Sequence, residues 1–508
     1  MAAENDWIPG GKVGGVGDVL RDLPPALARA GWPVRVVVPS YGVFHQLPGA
    51  KRGERISGRF RGEAFEAQTW CLPSDVEGVE QWVIDHSRFS IGSGGTIYHP
   101  DPPDRPFETD SGKFAFFCAA VAAWLEEVEH PPEVLHLHDW HTGLMPFLRS
   151  DPAAAPGLAN CRMVYTIHNL AYQGVRPMHE TEASLATWFP ERLGDAAQVV
   201  DPHNPNLVNF MASALRGADA VSTVSPTYAE EIRRPNDPAR GFHGGEGLEA
   251  LLNEIASEGR LVGILNGCEY PETRPAPEWN DTVEATLAES NLFDRLPELR
   301  NRVEDLADRR PASVLLSIGR IVSQKMDLFL APVPGAETAL EAITALLRED
   351  EVILFLGSGD PVLERRLREV SARQPRFIFL RGYAEALSEL LYESTDCFLM
   401  PSSFEPCGIS QMLALRAGQP CVVHGVGGLR DTVEDGVTGF VFEGDSVADQ
   451  AQGFVDAVAR ALDCHRNDPD GWRLMREAAA TQRFSWDLAA RRTIAALYES
   501  GEGAGETV

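Results

Sequence analysis

Basic residues are scarce in this sequence of 508 residues, and lysine is the scarcest of them. Asp and Glu number 74 against 45 Lys and Arg, which gives a formal charge of −29 at neutral pH and an isoelectric point near 4.8. Nucleic acids and anionic membranes attract basic surfaces, so this balance argues against both as partners. Only four basic residues are lysines: Lys12, Lys51, Lys113 and Lys325. Because Arg serves wherever a generic cation suffices, a retained lysine indicates a position that needs a compact ammonium group. We ascribe Lys51, in the polar run KRGER, to chance.

Long apolar runs, a secretion signal and paired cysteines are also missing. No segment approaches the roughly 18 apolar residues of a membrane span, and the first ten residues lack the basic and then apolar layout of a signal peptide. The eight cysteines form no CxxC pair, which disfavours disulfides and a zinc site. Hydrophobic residues nevertheless make up 44% of the chain, enough for large cores, and its length predicts two or three domains. We therefore expect a soluble cytoplasmic protein.

Short apolar runs alternate with segments of helical period in both halves of the chain. The predicted strands are VRVVVPS, QWVID, EVLHLHD, RMVYTIHN and DAVSTVS in the first half, and SVLLSIG, EVILFLGSG, RFIFLRG, DCFLMPS and PCVVHG in the second. This alternation predicts an α/β fold of two doubly wound, Rossmann-like lobes, each with a parallel sheet, facing a central cleft. Pro24 and Pro25 are expected to bend or interrupt the first helix.

Composition divides the chain into four parts. We predict a first lobe over residues 1–262, a polar, proline-marked linker over 263–312 and a second lobe over 313–482. Residues 483–508 are predicted to form a C-terminal helix that returns to the first lobe.

Three segments of the first half carry candidate binding residues. The run GGKVGGVGDVLRD sets Lys12, Gly14 and Gly15 before a helix, where glycines admit a ligand close to the backbone and helix N–H groups attract phosphate. EVLHLHD and RMVYTIHN lead to Asp139 and His168, and open α/β sheets bind ligands at the carboxyl ends of their strands. The histidines of HLHDWHTG leave a metal site as an alternative, but a buried, hydrogen-bonded histidine is the commoner fate of each.

Two segments of the second half add charged groups. SIGRIVSQKMD places Arg320 and Lys325 after a strand, where two cations suit two phosphate groups. PSSFEPCGISQMLALRAG places Glu405 at a strand end, ahead of a helix, so that the carboxylate can hold sugar hydroxyls while the helix end holds phosphate. No histidine is paired with Cys407, so we favour a structural or steric role for its thiol over a nucleophilic one.

Eight motifs, in this order, resemble those of bacterial glycogen synthases and plant starch synthases: GGKVGGVGDV, HDWHTG, TIHNLAYQG, VSPTYAEEI, GILNG, GRIVSQK, FEPCGISQ and GGLRDTVEDGVTGFVF. The resemblance covers nearly the whole chain. It implies the GT-B fold and a retaining hexosyltransferase that moves glucose from ADP-glucose to the non-reducing end of an α-1,4-glucan. It also implies that neither a metal nor another cofactor takes part.

The resemblance assigns roles to matching positions. Around the transferred glucose it implies catalytic roles for Lys12, Asp139, His168 and Glu405. At the donor nucleotide sugar it implies contacts by Gly14, Gly15, Asp18, Arg320, Lys325, Tyr383, Cys407, Gly408, Ile409 and Ser410, with Arg320 and Lys325 as the diphosphate clamp and Tyr383 near the adenine. On the acceptor side it implies Tyr98 and Asn266.

Some features depart from that family and leave alternatives open. Met326 stands where the family usually has Gly, and LNG is followed by CEYPETRP, which leaves the acceptor open. The alternatives are a GT-B transferase with another acceptor, a phosphorylase that would need Lys325 as its Schiff-base lysine, and an inactive sugar-nucleotide sensor.

The family's first lobe also opens with a strand ahead of the segment matching AAENDWIPGGKVGG, where only Met1 stands here, so we expect the natural start to lie upstream.

The excess of carboxylates predicts a stability that rises with salt. At low ionic strength the acidic groups repel one another across the folded molecule, and added ions screen that repulsion. We expect the melting temperature to increase from low to molar KCl in thermal denaturation. A melting temperature that falls steadily over the same range would contradict this expectation.

Overall fold

The computed structural model describes residues 1–92, 94–102, 104–150, 156–270, 277–293 and 297–499, and these residues form two α/β lobes. The first lobe contains two four-stranded sheets and a two-stranded one, and the second lobe contains a six-stranded sheet. In the described part of the chain, no helix combines the length and the apolar character that crossing a membrane requires.

The first lobe has ten strands among its described residues: β1 (Val34–Pro39), β2 (Lys51–Phe60), β3 (Glu63–Leu72), β4 (Val79–Asp85), β5 (Val134–His138), β6 (Arg162–Ile167), β7 (Val175–Pro177), β8 (Leu207–Asn209), β9 (Ala220–Thr223) and β10 (Leu261–Gly263). Strands β1 and β4 pair in parallel, whereas β4, β3 and β2 pair antiparallel. The second sheet, in the order β10-β9-β6-β5, is parallel throughout. Strands β7 and β8 form a small antiparallel pair.

Residues 1–3 lie between the two larger sheets of this lobe. The Ala2 N–H donates to the Val37 carbonyl at 3.2 Å, and the His138 N–H donates to the Met1 carbonyl at 3.2 Å. The amino group of Met1 donates to the His136 carbonyl at 2.8 Å. These residues therefore connect β1 to β5 and place the two sheets side by side.

Eight helices and five 3-10 turns accompany these strands in the described residues. The helices are α1 (Gly15–Arg29), α2 (Glu108–Glu127), α3 (Met145–Arg149), α4 (Pro156–Ala159), α5 (Leu185–Trp188), α6 (Phe210–Gly217), α7 (Pro226–Glu231) and α8 (Glu249–Ser257). The 3-10 turns are Phe44–Gln46, Ser87–Phe89, Trp140–Thr142, Pro190–Gln198 and Pro238–Arg240. Helix α2 is buried along most of its length and forms the centre of the first-lobe core, with four phenylalanine and tryptophan side chains nearly inaccessible to solvent.

Two expectations for the first lobe are wrong. The sheet containing β1 is mixed rather than parallel, because the hairpin of β2 and β3 adds antiparallel strands. In β2 only Ile56 and Phe60 are buried, and charged residues occupy most of the remaining positions, so the segment reads as polar. Helix α1 continues through Pro24 and Pro25, so the interruption expected there is wrong, whereas the alternative expectation of a bend stays a prediction; the apolar face of the helix, including Leu20 and Leu27, is buried, and that packing outweighs two missing N–H donors.

The second lobe has the strand order of a dinucleotide-binding fold. Its strands are β11 (Ser313–Ile318), β12 (Glu351–Gly357), β13 (Phe377–Arg381), β14 (Cys397–Met400), β15 (Cys421–His424) and β16 (Gly439–Phe442). All neighbours pair in parallel, in the order β13-β12-β11-β14-β15-β16. The order reverses between β11 and β14, and in sheets of this kind ligands bind at the crevice where it reverses.

The helices of this lobe are α11 (Ser323–Leu330), α12 (Ala339–Leu346), α13 (Pro361–Arg373), α14 (Glu385–Ser394), α15 (Ser410–Arg416), α16 (Gly427–Thr432), α17 (Val447–Asn467) and α18 (Pro469–Thr481). The segment expected to link the lobes contains α9 (Trp279–Ala288), a 3-10 turn (Ser290–Phe293) and α10 (Pro297–Asp308). Side chains of α9 and α10, such as Val283 and Val303, share a hydrophobic cluster with β11 and β12. These two helices thus pack on the second lobe.

The C-terminal part of the chain packs on the first lobe. Helix α19 (Trp486–Thr493) and the π-helical turn that follows it (Ile494–Tyr498) share a hydrophobic cluster with α1. The chain crosses between the lobes twice, and the two crossings run side by side, with the Cys268 N–H donating to the Phe484 carbonyl at 2.7 Å.

Replacement of Trp486 by Ala tests how much α19 contributes to the first lobe. Trp486 is 3% exposed and clusters with Val19 and Ile264. Loss of a large aromatic side chain from a packed core costs about 3–5 kcal/mol, so we expect a clear fall in melting temperature and faster amide hydrogen exchange in α1. Leu474→Ala is the control, because Leu474 is 57% exposed on α18. Equal melting temperatures for the two variants would show that α19 is not part of that core.

Candidate functional site

The crevice between β11 and β14 brings together the charged residues predicted for the second lobe. The Lys325 Nζ lies 2.8 Å from Oε2 of Glu405, and both side chains are largely buried. The Ser402 hydroxyl donates to the same oxygen at 3.0 Å. Arg320 is exposed, and its guanidinium has no hydrogen bond or ion pair with any other described residue. The segment after β11 therefore carries an exposed guanidinium without a partner among the described residues and, five residues later, an ammonium group neutralised by Glu405.

The loop after Glu405 turns sharply into α15. Gly408 has a φ of 76°, a left-handed conformation that favours glycine, and Ile409 and Ser410 lead into the helix. The thiol of Cys407 is buried, which raises its pKa to about 12, and it accepts a hydrogen bond from the backbone of Asn266. A thiol with a raised pKa is a poor nucleophile at neutral pH, which supports the structural interpretation of Cys407.

Two glycines hold the Glu405 loop at close range. A Cβ on Gly427 would collide with the carbonyl of Glu405, and one on Gly428 would collide with the carbonyl of Cys407. The Gly428 N–H donates to the Glu405 carbonyl at 3.0 Å. The motif GVGGLRD thus serves to bring backbone against backbone behind the crevice.

In the first lobe, the glycine run lies at the amino end of α1. The Lys12 ammonium contacts Oδ1 of Asp18 at 2.5 Å and Oδ2 of Asp6 at 3.3 Å. Burial alone would lower the pKa of Lys12, but the two carboxylates outweigh it and raise that pKa. Apart from the chain neighbours of Gly15 and the backbone of α1 itself, no atom lies within 4 Å of the place where a Cβ of Gly15 would stand. Gly15 thus leaves open space at the first turn of α1.

Glu4 organises this loop, and the sequence analysis did not identify it. Its carboxylate accepts hydrogen bonds from the N–H groups of Val13 at 2.8 Å and Gly14 at 2.5 Å, and from the Tyr98 hydroxyl at 2.8 Å. The Tyr98 hydroxyl also lies 3.0 Å from Nε2 of His141. The sequence indicates Glu4 only as an acidic residue in the apolar start AAENDW, close ahead of the glycine run, and that feature alone does not predict a binding role.

Asp139 and His168 meet beyond the ends of β5 and β6. Asp139 has a φ of 55°, which is a strained conformation for a residue with a side chain. Its carboxyl group accepts hydrogen bonds from the N–H groups of His168 at 2.7 Å and Asn169 at 3.4 Å. Burial outweighs these donors and raises the pKa of Asp139 to about 7.

The histidines of this region hydrogen-bond to protein groups. Nδ1 of His138 lies 2.9 Å from Nε2 of His168, and the two nitrogens of His136 contact the hydroxyls of Tyr498 and Thr166 at 2.8 and 2.7 Å. Burial lowers the pKa of His168 to about 4, so its ring is neutral at pH 7. Within the described residues, no group of three His, Cys, Asp or Glu side chains is arranged to hold a metal ion. His138, His168 and Asn266 line one small cavity, together with apolar side chains such as Leu23 and Ile264.

The two lobes face each other across the cleft at Tyr383. This residue follows β13 and is 66% exposed. Partial burial raises the pKa of Tyr383, and the Lys12 ammonium of the first lobe opposes that rise, with Asp18 also within electrostatic range. The residues predicted for the nucleotide thus border the same cleft from both lobes.

Comparisons with known proteins show the family of this chain. The family model for the starch synthase catalytic domain matches residues 1–254, and the model for glycosyl transferases group 1 matches residues 313–464. The glycogen synthase of Anaeromyxobacter sp. (strain Fw109-5) is 36% identical over 98% of this chain and 98% of its own length. The glycogen synthase of Streptococcus sanguinis (strain SK36) is 32% identical over 98% of this chain and 99% of its own length. This chain belongs to the glycogen synthase and starch synthase family.

Solved structures agree on the fold. The catalytic domain of starch synthase IV from Arabidopsis thaliana, solved with ADP and acarbose, has a TM-score of 0.74 and 26% identity, with 97% of each chain covered. Sucrose-phosphate synthase from Thermosynechococcus elongatus has a TM-score of 0.53 at 18% identity, over 97% of this chain and 96% of its own, and shares the fold. The predictions of a GT-B fold and of a retaining glycosyltransferase are confirmed.

A buried ion pair positions the Tyr98 loop of this family member. The ammonium of Lys113 contacts Oδ1 of Asp110 at 2.6 Å, and both side chains are at most 2% exposed. Lys113 also donates to the Ile97 carbonyl, and both carboxylate oxygens of Asp110 accept from the His99 N–H at 3.1 Å. The pair thus holds the residues on either side of Tyr98.

Replacement of Lys113 by Gln is expected to be strongly destabilising. It leaves the Asp110 carboxylate buried without its cation, and breaking a buried pair in this way costs about 3–5 kcal/mol. Thermal denaturation should show a large fall in melting temperature, whereas Lys51→Gln, at an exposed position of β2, should change little. A Lys113→Gln protein as stable as Lys51→Gln would contradict the structural role of the pair.

Proposed function

We propose that this protein transfers glucose from ADP-glucose to the non-reducing end of an α-1,4-glucan with retention of configuration, in the cytoplasm. The observation that carries this proposal is the Lys325–Glu405 pair, 2.8 Å apart at the crevice where the strand order of the second sheet reverses, with Arg320 in the same segment after β11 as Lys325. Membership of the family, over both lobes, gives the reaction class. The ligands of the Arabidopsis relative, ADP and acarbose, support an adenine nucleotide and a glucan as the substrates.

Arg320 and Lys325 are proposed to hold the donor diphosphate. Departure of ADP concentrates negative charge on its phosphate oxygens, and cations positioned there stabilise the transition state more than the bound donor. The ammonium of Lys325 has three N–H donors, so it can keep Glu405 and bind phosphate at once. Arg320, free of other partners among the described residues, offers a forked guanidinium to the second phosphate.

Glucose is proposed to lie between Glu405 and the pair Asp139–His168. A neutral His168 both donates and accepts hydrogen bonds, which suits a sugar hydroxyl. Lys12 stands at the adjoining end of α1 and is proposed to contact the bound donor from the first lobe. Gly14, Gly15, Asp18 and Tyr383 are proposed to border the nucleotide, with Cys407, Gly408, Ile409 and Ser410 beside the diphosphate. Tyr98 and Asn266 are proposed on the acceptor side.

The reaction balances without a group beyond the two substrates. The bond between the anomeric carbon and the ADP oxygen breaks, and the electron pair leaves with ADP. A hydroxyl of the terminal glucose of the acceptor forms the new bond on the same face, and its proton passes to the departing phosphate oxygen.

The function is tested by steady-state turnover with ADP-glucose and UDP-glucose on a glycogen primer. We expect chain extension with ADP-glucose as the better donor. Extension of a small-molecule acceptor in place of glycogen would assign a different acceptor to the same fold. Binding of a sugar nucleotide without any transfer would favour a sensor and overturn the proposal.

Lys325→Gln tests the diphosphate assignment. The substitution removes a charge-assisted contact that strengthens as the phosphate charge develops, so both turnover and donor binding should suffer. Loss of such an electrostatic donor costs about 3 kcal/mol, on the order of a hundredfold in rate. Lys325→Arg should recover only part of the activity, because a planar fork does not reproduce the reach of an ammonium group.

The matched control for that experiment is Lys51→Gln, since Lys51 is exposed on β2 and Lys113 is buried in an ion pair. Both variants lose one positive charge from the whole molecule, so any shared effect reports the overall field. If Lys325→Gln and Lys51→Gln turn over saturating ADP-glucose equally well, Lys325 does not hold the diphosphate.

A further inference from the structure

Helix α7 of the first lobe and helix α16 of the second lobe are hydrogen-bonded to each other at the interface of the lobes, through one carboxylate from each helix. Asp431, near the end of α16, accepts hydrogen bonds from the N–H and the hydroxyl of Thr227, in the first turn of α7, at 2.9 and 2.7 Å. Glu231, the last residue of α7, accepts a hydrogen bond from the N–H of Gly427, the first residue of α16, at 3.0 Å. Each helix thus ends in an acid that binds the start of the other.

These contacts give hydrogen-bond acceptors to the N–H groups of Thr227 and Gly427, which have no acceptor within their own helix. The first N–H groups of a helix have no partner within it, and the helix dipole favours a negative charge at that end. The residue before α16, Val426, offers no side-chain cap, so the cap of α16 comes from the other lobe. We refer to the contacts of Glu231 with Gly427 and of Asp431 with Thr227 as the reciprocal clasp.

The reciprocal clasp adjoins the backbone of Glu405. Gly427 lies against the Glu405 carbonyl with no room for a Cβ, and Gly428 donates to that carbonyl at 3.0 Å. The Ser225 hydroxyl, at the start of α7, donates to the Pro406 carbonyl at 2.6 Å. One short helix of the first lobe therefore touches the Glu405 loop directly through Ser225 and indirectly through α16.

The same helix reaches the His168 side of the cleft. The Leu170 N–H, two residues after His168, donates to the Tyr228 hydroxyl at 3.1 Å. Tyr228 also lies in α7, three residues after Ser225, and is 4% exposed. Helix α7 is thus bonded at one side to the loop that carries His168 and at the other to the loop that carries Glu405.

We propose that Glu231 and Asp431 are positioning residues for glucosyl transfer, which hold Glu405 in place relative to His168 through α7. This role rests on the proposed function, since it assumes that both residues border the transferred glucose. Neither acid has a hydrogen bond to Glu405 itself; Glu231 acts through the N–H of Gly427, and Asp431 acts through the N–H and the hydroxyl of Thr227. A displacement of about 1 Å between reacting groups is enough to slow a reaction by orders of magnitude.

The groups at this interface change the pKa of Glu231. Burial raises its pKa to about 7, and Asp431 adds to that rise, whereas the Gly427 N–H, Arg234 and Arg430 oppose it. A protonated carboxyl group still accepts a hydrogen bond from Gly427 through its carbonyl oxygen. The contact with Gly427 therefore depends on an oxygen acceptor and not on full ionisation.

The test compares Glu231→Ala and Asp431→Ala with Glu231→Gln and Asp431→Asn. The alanine variants remove the acceptor, while the amides keep one oxygen of the same shape. We expect kcat for ADP-glucose and glycogen to fall roughly tenfold to a hundredfold in each alanine variant, the range of a lost hydrogen bond to a charged group. KM for ADP-glucose should change less than about threefold, because Arg320 and Lys325 keep their own positions in the second lobe. The amide variants should recover most of kcat.

Two controls separate positioning from general loss of structure. Glu230→Gln alters the neighbouring exposed residue of α7, whose side chain pairs with Arg233. Arg240→Gln removes an exposed ion pair between the lobes, to Asp445, that does not touch the Glu405 loop. Both should retain the kcat of the unaltered protein, and circular dichroism and melting temperature should establish that every variant is folded.

The outcomes distinguish this inference from the function on which it rests. A folded, unaltered protein without turnover on any sugar nucleotide would refute the proposed function and this role together. Turnover in the unaltered protein, with the same kcat in Glu231→Ala and in Asp431→Ala as in the unaltered protein, would refute the reciprocal clasp alone. A loss that appears in KM only, or that the amide variants do not recover, would also overturn the positioning role.

Discussion

The ion pair of Lys325 and Glu405 depends on one topological constraint, the adjacent and parallel pairing of β11 with β14. Because both strands end at the same edge of the sheet and their chains then diverge, side chains that follow them meet across a crevice. The pair is neutral as a unit, yet the ammonium keeps unused donors and the carboxylate keeps unused lone pairs. Such a site is stable without a ligand and still offers both kinds of hydrogen-bonding group to one. The glycines that press against the Glu405 backbone, and the contacts of α7 beyond them, all act on this one position.

The sequence predicted the second lobe better than the first for a physical reason. A strand buried on both faces is a continuous apolar run, and all five runs predicted there coincide with strands from β11 to β15. The hairpin of β2 and β3 has one solvated face, so its apolar residues are sparse and interrupted by charges. Helix α1 contains two prolines that local rules place at a boundary, and only its packing against the rest of the lobe keeps it continuous. The hairpin and the continuous helix were missed because both depend on packing against distant parts of the chain, which a local sequence pattern does not show.

The same distinction applies to the candidate site. Lys12, Arg320, Lys325 and Glu405 follow glycine runs or apolar strands and could be singled out from their neighbours in sequence. Glu4 could not, because its role depends on contacts with Tyr98, 94 residues away. The partners in the interface between α7 and α16 are separated by 196 and 204 residues, and each acid sits in an ordinary helical segment. Residues that act by holding other residues leave little trace in local sequence, whereas residues that face a ligand stand in recognisable loops.

The scarcity of lysine has a structural counterpart in this acidic chain. Three of its four lysines each contact a carboxylate within 2.8 Å: Lys12 with Asp18, Lys113 with Asp110 and Lys325 with Glu405. An ammonium group has three N–H donors, so Lys12 and Lys325, at the cleft, also keep donors for a ligand. Asp139 is buried without a lysine, held by backbone N–H groups, and its raised pKa of about 7 leaves it about half protonated at neutral pH. Glu405 is thus neutralised by an ammonium group and Asp139 is partly protonated, which reduces the repulsion that the strongly negative molecule exerts on an anionic ligand at these two positions.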